Sequence, residues 1–134
     1  MMKDLQIFAL TLYFEAGSSQ NIEDVLSVAF TIKTRVEKSK KSYYEICTAP
    51  LQFSCWNNKK PEDIKIDEGL LRFRLCKVLA EYVMVCIRPD WNPVQGATLY
   101  YNPKLCNPKD WDFSKLEQVI YDPHIDHLFF KLRV

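Results

Sequence analysis

Glu15 is the residue of this sequence best suited to moving a proton. It closes an apolar run, Leu5 to Ala16, and is flanked by Tyr13, Phe14 and Ala16. In a helix over that run, burial and the negative end of the helix dipole both disfavour a carboxylate. A carboxyl still protonated near neutral pH is what a general acid needs as a glycosidic oxygen leaves. A Glu at a helix end can equally reach water, and position alone leaves both readings open.

Two further stretches offer groups that could hold a polar substrate. Gln52-Phe53-Ser54-Cys55-Trp56 sets an amide and a hydroxyl beside large aromatics, a combination that holds sugar hydroxyls and N-acetyl groups but also builds packed loops. Gly96-Ala97-Thr98-Leu99-Tyr100-Tyr101-Asn102-Pro103 offers hydrogen-bonding tips at Thr98, Tyr100, Tyr101 and Asn102, with Gly96 allowing close backbone approach. The alternative there is a Tyr-rich strand that closes the core. His127 has no Ser or Cys in a nucleophile motif to partner it and reads as a structural histidine, as does His124.

The elements that must position these groups are mostly helical. A helix apolar on nearly every side, as over residues 5–16, is central and buried; Gly17 stops it. Asn21 caps a second helix, in which Ile22, Val25, Leu26, Ala29, Ile32, Lys33 and Val36 keep helical spacing. Glu23 and Asp24 at its start read as capping charges, and polar Glu37 to Ser42 as a loop. Tyr43 to Cys47 predicts a helical turn, and Asp67 to Ile87 a third long helix ended by Pro89. Beyond Asp90 the prolines break the chain into turns, with Thr98 to Tyr101 strand-like. Ser114 with Glu117 predicts a capping box for a short helix through Ile120, and His127 to Val134 a docked strand or turn.

The whole chain, 134 residues, is one domain by length, with no repeat or linker to divide it. Its 18 basic and 17 acidic side chains nearly cancel, which removes the field expected of a nucleic-acid binder. The clustering at Lys38 to Lys41 and at Lys59 and Lys60 reads as solvated loop. Cys47, Cys55, Cys76, Cys86 and Cys106 have neither disulfide-framework nor zinc spacing, so reduced, mostly buried thiols and no cofactor are expected. No run approaches the roughly 20 apolar residues of a membrane span. The absence of an evident signal peptide predicts synthesis in the cytosol.

Read in order, the segments resemble the cell wall hydrolases typified by the spore-cortex-lytic enzyme SleB. The resemblance is carried by Tyr13-Phe14-Glu15-Ala16, the Arg35-Val36 pair, Gln52 to Trp56, Gly96 to Pro103, Trp111, and His127-Leu128-Phe129, and spans roughly residues 5–131. It departs at Leu99, where that family has His, and at Ile125-Asp126, where it often has Gly-Asn. It implies a mainly helical α+β, lysozyme-like fold related to lytic transglycosylases. It also implies an essential acid at Glu15, with substrate contacts from Gln52, Ser54, Thr98, Tyr100, Tyr101 and Asn102.

The expected reaction is cleavage of the β-1,4 bond between N-acetylmuramic acid and N-acetylglucosamine in peptidoglycan. Hydrolysis needs a second carboxylate at a defined distance, and the motifs supply no obvious one. Lytic transglycosylation by Glu15 alone is therefore expected, from a monomer released onto the cell wall as a phage lysin would be. A hydrolytic muramidase, or a non-catalytic peptidoglycan-binding or virion structural protein, are the alternatives.

Overall fold

The computed structural model describes residues 2–19, 21–49, 60–86, 93–120 and 125–133. Gln52, Ser54 and the rest of the 52–56 segment, His124 and Pro89 lie outside the described residues. Four α-helices and three β-strands are present among the described residues. The helices are α1 (Asp4–Ala16), α2 (Ile22–Ser39), α3 (Tyr43–Thr48) and α4 (Leu71–Val85). The strands are β1 (Leu99–Tyr101), β2 (Leu116–Val119) and β3 (Leu128–Leu132).

Helix α1 is the hub of the core. Ile7, Phe8, Ala9, Leu10, Thr11 and Leu12 are all buried, so no side of its middle turns reaches water. It packs against α4, α3 and α2. Its one buried hydroxyl, on Thr11, donates back to the Ile7 carbonyl at 2.8 Å. At about 2 kcal/mol for each large apolar side chain removed from water, this helix supplies much of the driving force for folding. Gly17 ends it in right-handed backbone. A Cβ at that position would stand 2.3 Å from the Tyr13 carbonyl oxygen.

Helix α2 begins as expected, with the Asn21 side chain accepting from the Glu23 N–H. It runs past the expected end through Ser39, because exposed polar residues suit a helix surface, and Lys40 in left-handed backbone closes it. Helix α3 carries a full capping box between Ser42 and Glu45. Helix α4 starts at Leu71 rather than Asp67, since the Asp67 side chain instead accepts from the Gly69 N–H in a turn.

The expected helix after Ser114 is not formed. Asp112 takes the Ser114 N–H and caps a single 3₁₀ turn, Phe113–Lys115, and the chain then extends into β2. Pairing with β3 overrides the local signal: Glu117 lies opposite Lys131, and their side chains form an ion pair at 3.8 Å. The sheet is antiparallel in the order β1-β3-β2, with Tyr100 and Val119 both facing Phe129 across β3.

Lys33 ties two helices together. It lies on the apolar stripe of α2, and its ammonium donates to the carbonyl of Val83, at 2.8 Å, and to that of Cys86, where α4 ends. A cation on terminal carbonyls also complements the dipole of α4. Among the described residues no buried side-chain polar atom lacks a partner, and no helix is long and apolar enough to cross a membrane. We expect Lys33→Met to strip the ammonium from the Cys86 carbonyl and to leave the Val83 carbonyl to the Cys86 N–H, at a cost of about 2 kcal/mol. The check is the urea midpoint, which should fall with the slope of the transition unchanged.

Candidate functional site

Burial of α1 on every side brings Glu15, in its last turn, to the edge of the core, where its carboxyl needs partners. The pairing of β1 with β3 supplies one. Alternation along β1 turns Tyr100 toward the helices, and its hydroxyl donates to Glu15 Oε1 at 3.0 Å. Arg35, near the end of α2, donates from Nε to the carbonyl of Thr98 just before β1. His127, at the entry to β3, sets its ring edge-on to Tyr100 with centroids 5.2 Å apart.

His127 is itself held by Asp24. The imidazole Nδ1 lies 2.8 and 3.0 Å from the two oxygens of that carboxylate, and the His127 backbone N–H donates to it at 3.2 Å. Asp24 is fully buried and His127 is 6% exposed. Asp24 stands in the first turn of α2, where a capping charge was expected, but its carboxylate is also half of an interior pair between α2 and β3.

The electrostatics of Glu15 are a contest that burial wins. Loss of solvent pushes its carboxyl above the ordinary range, against the Tyr100 hydrogen bond and the charges of His127 and Arg35, which all pull it down. Burial, and then the charge of Glu15, drives the Tyr100 phenol well above its usual value, so it stays a hydrogen-bond donor. Burial lowers Arg35, opposed by Tyr100, Cys47 and Glu15, and a guanidinium so placed remains charged. The buried Cys47 thiol is pushed up to about 12 by desolvation and stays protonated. The arrangement can hold a proton on Glu15 and can also support the carboxylate once that proton has left.

Of the candidates from the long motif, Tyr100 alone is hydrogen-bonded to Glu15 among the described contacts. Tyr101 turns to the other sheet face, stacking on Phe130 at 5.7 Å and meeting Trp111 and Phe113. Thr98 presents its carbonyl to Arg35, and its N–H bonds to the Phe130 carbonyl at 3.1 Å. The Asn102 side chain accepts from the Lys104 N–H at 3.0 Å and shapes the turn after β1. Gly96 has open space where a side chain would be and a φ of +82°; the turn requires its left-handed backbone, rather than a close approach.

Arg35 and the Asp24–His127 pair were not singled out by sequence reasoning as functional. A signal did exist, because Asp24, Val28, Thr31 and Arg35 fall on one stripe of α2 at helical spacing. Charges at both ends of a buried stripe need partners.

A separate cavity of about 280 Å³, lined mainly by Leu26, Phe30, Pro93, Ile120 and Ile125, opens beside α2; Glu15 does not border it. Among the described residues no three His, Cys, Asp or Glu side chains are grouped to hold a metal ion. Comparison of the chain with family models, with curated proteins and with solved structures finds no match.

The raised carboxyl has a consequence for stability. Folding favours the protonated form of Glu15. Its contribution is full below the unfolded carboxyl range, about pH 4, and is lost as pH rises through the higher folded value. Glu15→Gln, which buries a neutral amide throughout, should therefore melt higher than the wild type at neutral pH. The gap should close as pH falls toward about 4. Melting curves of both proteins across that range check the sign.

Proposed function

We propose that this chain cleaves peptidoglycan between N-acetylmuramic acid and N-acetylglucosamine as a lytic transglycosylase with a lysozyme-like fold, Glu15 serving as acid and then as base. The observation that carries the reading is the desolvated Glu15 carboxyl under the Tyr100 hydroxyl at 3.0 Å. The resemblance of the ordered motifs to SleB-type cell wall hydrolases supports the same assignment.

The chemistry follows from the two states of one carboxyl. Protonated Glu15 gives its proton to the glycosidic oxygen as the bond to C1 of the muramic sugar breaks. The carboxylate left behind is stabilised by the Tyr100 hydroxyl and by the nearby charges of His127 and Arg35. It then takes the proton of the muramic 6-hydroxyl, whose oxygen closes onto C1 to form the 1,6-anhydro ring. Protons balance, and Glu15 ends as it began.

Asp24 is not available as the second carboxylate of a hydrolase. A retaining or inverting hydrolase needs a second carboxylate open to C1 or to a water. Asp24 is fully buried, with both oxygens on His127. Glycan strands are accordingly the proposed partner, met at the cell wall after release of the protein, as with a phage lysin.

The test is digestion of purified peptidoglycan by wild type, Glu15→Gln and Tyr100→Phe, with soluble products identified by mass spectrometry. We expect anhydro-muropeptides from the wild type, none from Glu15→Gln, and a rate lower by about tenfold to a hundredfold for Tyr100→Phe. Reducing-end products would make the enzyme a muramidase. Wall binding without any product from folded protein would make it a binding module.

A further inference from the structure

The proposed reaction uses Glu15 and Tyr100, with the charges of His127 and Arg35 acting on Glu15, and gives no task to Asp24, the carboxylate that holds His127 deep in the protein. Their arrangement is costly for a fold that merely needs filling. A buried carboxylate loses its hydration, and among the described residues it recovers three contacts from His127: two to Nδ1 and one from the backbone N–H. This fixes the imidazole in position and orientation. The face so fixed meets Tyr100 edge-on at 5.2 Å, while Phe129, the register partner of Tyr100 across the sheet, lies 5.9 Å from the same tyrosine ring.

We infer that Asp24 and His127 are a positioning pair, which clamps the Tyr100 ring against Phe129 and so keeps its hydroxyl aimed at Glu15. The inference rests on the reading of Glu15 as the proton-transferring group. Tyr100 sits in a strand of three residues, too short to hold a ring direction by backbone pairing alone. The pair supplies the missing constraint from the opposite side of the site, linking α2 through the head of β3 to β1 and from there to α1. Arg35 on α2, His127 at β3 and Tyr100 on β1 are the described groups that act on the charge of Glu15. Asp24 acts on Glu15 only through the residues it holds.

Two variants separate this role from general support of the core. Asp24→Asn keeps an oxygen for the His127 N–H but weakens the grip on the ring. His127→Asn places an amide nitrogen close to where Nδ1 stands, preserving a donor to Asp24 while deleting the ring edge against Tyr100. Each is made in the wild-type and the Tyr100→Phe background. The Glu15 carboxyl is followed directly by a carbon-13 NMR pH titration of the full-length protein, alongside kcat and KM on peptidoglycan.

We expect both variants to move the Glu15 midpoint to higher pH, as loss of the tyrosine donor does, and to lower kcat by about tenfold with KM little changed. In the Tyr100→Phe background, which has no hydroxyl left to aim, the Asp24→Asn shift should fall below half its size. Equal shifts in the two backgrounds, or an unmoved midpoint in folded protein, overturn the positioning role. If Asp24→Asn does not fold, His127→Asn decides by the difference between its shifts in the two backgrounds, because the part due to the lost His127 charge persists without the Tyr100 hydroxyl. Absence of activity in every protein, including the wild type, counts against the glycan-cleaving reading alone, because the titration still decides whether the pair acts on Glu15.

Discussion

A carboxyl at the end of a helix that is buried on every side is the constraint from which the rest of this structure follows. The middle turns of α1 have no solvent face, so the chain cannot rotate Glu15 away from the protein without also exposing Phe8, Leu10 or Leu12. The terminal carbonyls of α1 repel the charge, and burial withholds the water that would otherwise stabilise it. Other elements must answer. Helix α2 brings Arg35 alongside, β1 brings a hydroxyl, and an imidazole stands just ahead of β3. The register Tyr100–Phe129–Val119 across the sheet turns that hydroxyl inward rather than outward. A shift of one residue would present Tyr101 instead and move Phe129 off the core.

The ionisable groups of the site form a balanced set and not a list of separate contacts. Asp24 and Glu15 can carry negative charge, and Arg35 and His127 positive charge. Removing either member of the Asp24–His127 pair leaves the other buried without compensation, which costs more than the pair contributes. Single substitutions at these four positions should therefore not add, since each changes the field and the contacts that the others experience. The same balance explains how Glu15 can be raised and yet tolerate ionisation. Desolvation sets a high starting point, and three favourable groups hold it within reach of a proton transfer.

Much of this was legible in the residue order, and the exceptions have physical reasons. An unbroken apolar run marked α1, and the Asn21 cap with helical spacing marked the start of α2, because those signals are local and nothing distant opposes them. A helical turn at Tyr43 to Cys47 was expected without its cap at Ser42. The serine–x–x–glutamate pattern shows the limit. At Ser42 and Glu45 it is a true capping box, whereas at Ser114 and Glu117 the same pattern gives way to a strand, because β3 offers Glu117 a pairing partner in Lys131. Glu15 was readable from the apolar run before it. Arg35, Asp24 and His127 were not read as a group, since 103 residues separate Asp24 from His127 and only the folded sheet brings them together. Lys33 on an apolar stripe was a similar overlooked sign: a cation there has carbonyls to cap.

The two faces of β1 divide the labour of precision. Inward, Tyr100 meets His127, Phe129 and Glu15. Outward, Tyr101 stacks flat on Phe130, with Trp111 and Phe113 around it. Because successive residues of a strand share one backbone, fixing Tyr101 from outside also limits how Tyr100 can rock inside. The outer aromatic cluster is therefore more than a cover for the sheet. A three-residue strand with few ladder hydrogen bonds gains its rigidity from side chains packed on both faces. A hydroxyl that must stay near 3 Å from a carboxyl through a change in its charge depends on that rigidity.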